Sequence, residues 1–336
     1  MNFDPGMSPA ARQLQMRNIV IEHDRFLEAV GALRTFHMPV DEGVPSVATL
    51  SALIGDSRTG KTFATKRYAR QFPAISGETG IIQRVVYVDM PMEGGGGQRA
   101  ILESFAQALH FPVTSRMNSP TQIAGVLRAL EAQKVELLIL DETEQVFREN
   151  DRRLLGFGRG LLRKILDLGT LSIVCIGLHP TYNLLAADPQ LTGRGGLPYK
   201  QLRPYSWENH DERGVFRLLC DAFDRQLPFP ERSGLGASDL AHAIYWVTQG
   251  NIGRLKTLIE AAGARAINDA NAQRIERRHF EEAYELSKPP GRPFNPFRDG
   301  MTNAPKAADG GRPGRVKSGD ARTVFSKKPA LDLSHV

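Results

Sequence analysis

Apolar positions along this chain form two kinds of pattern. Short continuous runs, typical of buried strands, occur as "TLSALIG", "RVVYVDM", "VELLILDE" and "LSIVCIG" at residues 49–55, 84–90, 135–142 and 171–177. Apolar residues spaced three and four apart predict helices between them, over 61–72, 97–111, 119–133, 151–168 and 180–187. Strands that alternate with helices predict an α/β fold with a parallel sheet covered on both faces.

The pattern changes before and after this alternation. Two helical patterns fill residues 8–36, and from residue 206 only helices are predicted, over 207–226, 237–249, 252–269 and 277–287. After Lys288 the chain is rich in Pro, Gly and Lys/Arg and poor in apolar periodicity, which predicts disorder. We therefore predict a helical extension (1–39), an α/β domain (40–205), a helical lid (206–288) and a disordered basic tail (289–336).

Charge is concentrated in the predicted tail. Of the formal net charge of +6, residues 289–336 contribute nine Lys/Arg against four Asp, or +5, which leaves about +1 for residues 1–288. Contact of the folded part with nucleic acid therefore needs a local basic patch. Two cysteines give no disulfide framework, and no run approaches the roughly 18 apolar residues of a membrane span, so we expect a cytoplasmic protein without membrane contact.

A glycine-containing loop, "GDSRTGKT" at 55–62, follows the first strand and opens a helix. It matches G-x-x-x-x-G-K-[ST], in which glycines let backbone N–H groups surround phosphates at a helix N-terminus. Lys61 would reach the β and γ phosphates, and the Thr62 hydroxyl would bind Mg²⁺. The predicted ATP-binding residues are Gly55, Asp56, Ser57, Arg58, Thr59, Gly60, Lys61 and Thr62.

Two acids end the strand "LLILDE". Asp141 would hold Mg²⁺ through water, and Glu142 would polarise the attacking water, because phosphoryl transfer needs a metal and a water-orienting base side by side. Taken alone, two acids after a buried strand equally well cap the next segment. Together with the glycine loop they favour an enzyme that hydrolyses ATP with Mg²⁺.

The order of four motifs points to a family. "GDSRTGKT", "LLILDE", "DPQLTGR" and "TQGNIGRLKTLIEAA" follow one another, and over roughly residues 15–285 the chain resembles AAA+ ATPases, more narrowly the TniB/TnsC regulators of DNA transposition. The resemblance implies an AAA+ P-loop NTPase fold, with Walker A and Walker B motifs, a parallel five-stranded sheet and a C-terminal helical lid. It also implies a homo-oligomer, ring or helical filament, that assembles on double-stranded target DNA. Such a protein links a target-selection protein to the transposase and is disassembled by ATP hydrolysis.

The resemblance also assigns roles to arginines. Arg194 stands where the family places a catalytic arginine that reaches the neighbouring subunit's nucleotide, although the family usually has an aromatic residue next and this chain has Gly. Arg203 is the nearby alternative. Arg254 matches the second sensor, a lid cation that contacts the nucleotide. Where the family carries a small polar first sensor, this chain has Leu178 and His179.

A third part of the resemblance concerns DNA. "MEGGGGQRA" at 92–100 has four glycines but no lysine at phosphate-loop spacing, which predicts a flexible connection. The family reaches DNA at this place, so the resemblance makes Gln98, Arg99, Arg116 and Thr121 candidates for contacts with DNA phosphates. The alternative is that each is a solvated surface residue.

Other functions stay open at this stage. An ORC/Cdc6-like or STAND-type ATPase switch shares the loop and lid, but normally appends a winged-helix or repeat domain, for which 289–336 is too short and too rich in Pro and Gly. A nucleotide-binding scaffold without turnover is disfavoured by Glu142. The tail itself is either a tether that adds nonspecific DNA affinity or a partner-recognition segment, built on "PFNPF" (293–297) and "RTVFSKKP" (322–329).

Overall fold

A computed structural model describes residues 4, 6–78, 80–91, 97–112, 117–193 and 196–305. Of the predicted flexible connection at 92–100, residues 92–96 lie outside the described residues, and residues 98–100 are helical. The first part of the chain alternates strands and helices: α1 (Pro9–Arg17), α2 (Asp24–His37), β1 (Leu50–Gly55), α3 (Lys61–Ala69), β2 (Ile75–Gly77), β3 (Gly80–Ile82), β4 (Val85–Asp89), α4 (Gln98–Ala108), α5 (Ser119–Ala132), β5 (Leu137–Asp141), a 3-10 helix (Thr143–Gln145), α6 (Arg152–Leu166), β6 (Ser172–Gly177), α7 (His179–Ala186), α8 (Pro189–Thr192) and β7 (Tyr199–Leu202). Within the described ranges, no helix has both the length and the apolar character needed to span a bilayer.

Five strands form one parallel sheet in the order β4-β5-β6-β1-β7. This confirms the α/β fold with a parallel five-stranded sheet. The apolar pattern does not locate strand β7, because "YKQL" at the sheet edge carries polar residues between its apolar ones. Nor does it locate the antiparallel β2–β3 hairpin, which lies outside this sheet.

Side chains of the central strands alternate between two apolar cores. In β5, Leu138 and Leu140 join the core under α4, α5 and α6, whereas Leu137 and Ile139 join the core under α2 and α3. All five residues of β5 are buried. Because both faces are covered, the strand needs no polar face, which explains its continuous apolar run.

A helical lid follows the sheet. Its helices are α9 (His210–Asp224), α10 (Ser238–Thr248), α11 (Ile252–Asn268) and α12 (Arg277–Ser287). They enclose the fully buried Phe216 and Phe280. Helix α1 adds Met16 to this core, against Gly263 of α11, where an added Cβ would lie 2.2 Å from Met16 Cε. Helix α2 packs on the sheet instead, so the predicted N-terminal extension contacts both parts of the molecule.

The predicted disorder from residue 289 is wrong for the described residues 289–305. They include α13 (Pro296–Asp299) and a 3-10 helix (Met301–Asn303). Phe297 is 3% exposed and stacks on Phe280 with ring centroids 5.3 Å apart. Asn295 is fully buried and donates to a carbonyl oxygen of α12. These few anchors suffice because they insert into the existing lid core, so "PFNPF" is not a free recognition segment. Residues 306–336 lie outside the described part.

Candidate nucleotide site

The glycine loop turns the chain from β1 into α3. Gly55 lies against the end of β7, where an added Cβ would be 2.5 Å from the carbonyl oxygen of Leu202. Gly60 has φ 94°, a left-handed conformation that favours glycine. Both glycines of the motif are therefore required by the backbone. The loop delivers the unpaired N–H groups of the first turn of α3 toward the carboxyl edge of the sheet, an arrangement suited to an anion.

Lys61 is buried within this loop. Its Nζ donates to the carbonyl oxygens of Gly55 at 2.8 Å and Asp56 at 2.9 Å, and its side chain is mostly covered. Burial lowers the pKa of Lys61, and nearby acids oppose this shift. The strongest of these acids are Glu144, Asp141 and Glu142. The ammonium group thus lies between loop carbonyls and acids, within reach of a phosphate bound by the loop.

Asp141 and Thr62 are the candidate Mg²⁺ ligands. Asp141 is 2% exposed; its Oδ1 accepts the Glu142 N–H at 2.8 Å and its Oδ2 accepts the Tyr87 hydroxyl at 2.7 Å. Burial and Asp141 raise the pKa of Tyr87. Thr62 is half-buried in the first turn of α3. The described chain has no cluster of three or more His, Cys, Asp or Glu suited to a metal. Two oxygen donors fit Mg²⁺, which keeps water and substrate phosphates as its other ligands.

Glu142 occupies a strained turn after β5. It is exposed and has φ 53° and ψ 37°, a left-handed conformation that costs a non-glycine residue roughly 1–2 kcal/mol. The bond from its N–H to Asp141 helps to hold this turn. Its side chain is exposed next to Asp141, where water can reach it. Strain of this kind is frequent at functional positions.

The lid contacts the loop through the start of α11. Asn251 caps this helix by accepting the Arg254 N–H at 3.2 Å, and its amide donates to the carbonyl oxygen of Ser57 at 2.9 Å. The Gly253 N–H donates to the carbonyl oxygen of Arg58 at 2.9 Å, and an added Cβ at 253 would lie 2.7 Å from that oxygen. The "GNIG" motif is thereby explained by close packing on the glycine loop. The exposed Arg254 side chain makes no ion pair with the described residues.

The structure assembles part of the predicted site. The loop, Asp141 and Glu142 lie at the ends of β1 and β5 in the same sheet, and Arg254 lies on the first turn of α11, which contacts the loop through Asn251 and Gly253. Arg203 bonds to the side chain of Gln201 and lines a small cavity with Thr59, so it lies beside its own chain's loop. Arg116 and Arg194 lie outside the described residues and stay predictions.

The candidate DNA residues lie at the starts of two parallel helices. Gln133 Nε2 donates to the carbonyl oxygen of Leu109 at 2.6 Å, which joins the carboxyl ends of α4 and α5. Their N-termini therefore share the edge at which the strands end. Gln98 and the exposed Arg99 are on the first turn of α4, and the exposed Thr121 is on the first turn of α5. Arg99 pairs with a glutamate one turn further along.

Two polar residues that follow β5 and β6 were not predicted. Glu144 lies in the 3-10 helix after β5; burial and Glu142 raise its pKa, and the charge of Lys61 opposes that rise. Thr181 in α7 is 3% exposed and lies near the end of β6. The one sequence pattern that could have found Glu144 is its place three residues after Asp141. His179, at the first-sensor position, is exposed.

Comparison with known proteins identifies the fold and the family. Similar solved structures include ORC2 of Aeropyrum pernix in ADPNP–ADP complexes (13% identity, TM-score 0.59, covering 82% of this chain and 72% of that one). Cdc6p from Pyrobaculum aerophilum is also similar (18% identity, TM-score 0.53, covering 84% of this chain and 70% of that one). So is ORC1 of Aeropyrum pernix in complex with DNA (17% identity, TM-score 0.52, covering 82% of this chain and 69% of that one). Identities this low show the shared fold alone. A search of curated proteins gives no match.

The sequence match is to one family model, described as "Bacterial TniB protein", over residues 15–202. This region covers more than half of the chain, and it includes the glycine loop, strand β5 with its acids, and all five strands of the parallel sheet. The chain belongs to the TniB family and has the fold of an AAA+ P-loop ATPase.

Proposed function

We propose that this protein is a cytoplasmic, ATP-hydrolysing regulator of DNA transposition. The observation that carries the proposal is the position of Lys61, which the fold buries between the carbonyls of the glycine loop and the acids after β5. Membership of the TniB family supports the transposition role. ATP and Mg²⁺ are the proposed substrate and metal.

The residues of this chain would share the chemistry as follows. Backbone N–H groups from Gly55 to Thr62 cradle the phosphates, and Lys61 leaves its carbonyl partners to contact the β and γ phosphates. Asp141 and Thr62 would hold Mg²⁺, which would supply positive charge against the phosphates. Glu142 accepts a proton as water attacks the γ-phosphorus, the bond to the bridging oxygen breaks, and ADP and phosphate leave.

DNA binding would occur at the edge where α4 and α5 begin. Gln98, Arg99, Thr121 and, outside the described part, Arg116 are the proposed phosphate contacts. The nearly neutral charge of residues 1–288 requires such a local patch. The ORC1 structure with the shared fold is itself a complex with DNA, which supports a DNA-binding role for this fold. Contacts with phosphates alone would bind duplexes regardless of sequence.

Assembly would complete the site. We propose a homo-oligomer, ring or filament, on double-stranded DNA, in which Arg194 reaches the neighbouring subunit's nucleotide and Arg254 of the lid contacts the nucleotide of its own chain. Hydrolysis then releases the assembly. The transposase and a target-selection protein are the proposed partners.

ATP turnover is the decisive test, measured with added duplex DNA across a range of protein concentrations. Lys61→Ala is expected to abolish nucleotide binding, and Glu142→Gln to keep binding but slow hydrolysis by about 10²–10⁴-fold. Lys164→Ala and Glu149→Gln, which change exposed residues of the same types, are matched controls. Normal turnover by the Glu142→Gln protein would refute the assignment of the base, and activity independent of concentration would refute the shared site.

DNA binding is tested by its dependence on salt. Arg99→Ala is expected to lower the slope of log affinity against log salt by about 0.9 for each DNA phosphate that Arg99 neutralises. Arg128→Ala, at an exposed position further along α5, is the matched control. Strong preference for one duplex sequence, with a shallow salt slope, would contradict backbone binding.

The alternative is an ORC/Cdc6-like or STAND-type switch with no part in transposition, and the structural likeness to ORC and Cdc6 proteins is compatible with it. Strand-transfer assays with a transposase from the same source separate the two functions. If the protein stimulates strand transfer only when ATP is present, the transposition role is supported. If it hydrolyses ATP but does not stimulate strand transfer, the switch is supported.

A further inference from the structure

Three side-chain oxygens converge over the last residue of β6. A Cβ added at Gly177 would lie 2.7 Å from both Glu144 Oε2 and Thr143 Oγ1, and 3.6 Å from Thr181 Oγ1. Thr143 Oγ1 donates to the carbonyl oxygen of Ile176 at 2.8 Å. The other two atoms, Glu144 Oε2 and Thr181 Oγ1, are buried and have no hydrogen-bond partner among the described residues. Gly177 therefore leaves room for two unpaired oxygens.

Buried polar atoms without partners need a physical explanation, because leaving one unpaired costs free energy. The place of these two oxygens in the fold supplies that explanation. Gly177 pairs in the sheet with Ile54, the residue directly before the glycine loop, and Glu144 lies two residues after Glu142. Among the acids that oppose the lowering of the Lys61 pKa, Glu144 has the largest effect. The unpaired oxygens therefore adjoin the candidate nucleotide site.

We propose that Glu144 and Thr181 bind the attacking water together with Glu142, a role that rests on the proposed ATP hydrolysis. A buried water needs two to four polar partners, and these residues offer a hydroxyl and two carboxyl groups. The water oxygen bonds to the γ-phosphorus as the bridging bond to ADP breaks, and the released proton passes to Glu142. The hydroxyl of Thr181 and the carboxyl of Glu144 fix the water's position and make no covalent bond.

Steady-state ATPase kinetics with conservative variants test this role. Thr181→Val keeps the shape but removes the hydroxyl, and we expect kcat to fall by about 10²-fold, as for a misplaced reactant. The KM for ATP and the melting temperature stay unchanged. Thr181→Ser restores kcat to near the original value. Glu144→Gln also lowers kcat, and the double variant is no slower than the slower single variant, because both act on one water.

Gly177→Ala supplies an independent test, because its new methyl group would displace Glu144 Oε2. The matched control is Gly160→Ala on α6, where an added Cβ meets nothing within 4 Å. Should Gly177→Ala not fold, Thr181→Val decides alone. An unchanged kcat with a lowered melting temperature in Thr181→Val would show a structural water only and would overturn the proposal.

The wild-type protein in the same assay separates this proposal from the proposed function. If the wild type hydrolyses ATP and the Thr181 and Glu144 variants match it, only the water-binding role fails. If the wild type, with duplex DNA present, does not hydrolyse ATP, the proposed function and this inference both fail.

Discussion

The two halves of the candidate site are held in different ways. The strand half consists of Lys61, Asp141 and Glu142, and the lid half consists of Asn251, Gly253 and Arg254. In the strand half, hydrogen bonds to loop carbonyls and to Tyr87 fix two buried charged groups. The lid half touches the loop through two hydrogen bonds, both to main-chain carbonyl oxygens.

This difference separates chemistry from position. The strand half presents charged groups from the start of α3 and the end of β5. The lid half instead bonds to the backbone of the loop, so its contacts do not depend on the loop's side chains. A change of loop conformation on phosphate binding would therefore be transmitted directly to α11. Substitutions in the strand half should change phosphate binding or turnover. Substitutions in the lid half should change nucleotide affinity, with a loss of stability only where a helix cap or a contact with the loop is removed.

The largest effect is expected where the lid depends on residues beyond its own helices. Phe297→Ala removes a buried ring that stacks on Phe280 and should lower the free energy of unfolding by about 3–5 kcal/mol, measured by urea denaturation. Deletion of residues 306–336, which removes none of these contacts, is the control and should leave stability unchanged. An equal loss in both proteins would contradict a lid anchored by residues 289–305.

The next effect concerns the join between the lid and the sheet. Gly250 has φ 68°, and an added Cβ would lie 2.0 Å from the carbonyl oxygen of Tyr205. Gly250→Ala should cost about 2–4 kcal/mol, from strain and overpacking together. Gly234→Ala is the matched control, since Gly234 has φ 73° with nothing within 4 Å. Equal losses of stability in the two variants would show that backbone strain accounts for the whole effect and that Gly250 is not tightly packed against Tyr205.

A smaller effect tests the contact between lid and loop. Asn251→Ala removes both a helix cap and the bond to Ser57, which together are worth about 2 kcal/mol. Asn209→Ala removes only a cap, that of α9. We therefore expect both variants to lose a similar free energy of unfolding from the missing cap. Only Asn251→Ala should bind ATP more weakly, as measured by calorimetric titration. Weaker binding in both variants would mean that the lid acts through its overall stability.

The sequence predicts those parts of the fold and site that local patterns encode. Strand β1 is predicted at 49–55 and is found at Leu50–Gly55, because a strand buried on both faces leaves a continuous apolar run. The edge strand β7 leaves no such run. The glycine loop can be found because its backbone geometry demands specific residues in a row.

The missed contacts depend on the order of strands in the sheet. Glu144 and Thr181 both approach Gly177 because β5 and β6 are neighbours in the sheet, and Asn251 meets Ser57 across 194 residues of chain. No local pattern contains either arrangement. The prediction of disorder is wrong for residues 289–305 for a related reason: Phe297 has too few apolar neighbours in sequence to form a core, but it joins one that distant helices have built.

The smallest expected effect on stability is that of Arg254→Ala, which tests whether the lid half of the site also binds the nucleotide through a side chain. Arg254 is exposed at the start of α11 and makes no ion pair with the described residues, so Arg254→Ala should change the free energy of unfolding by less than about 0.5 kcal/mol. If its guanidinium reaches a bound phosphate, ATP affinity should fall about tenfold, or about 1.4 kcal/mol, with a smaller loss for ADP. The exposed Arg153, at the second position of α6, is the matched control. Equal affinities for ATP in the wild type and Arg254→Ala would confine the role of the lid half to its two main-chain contacts with the loop.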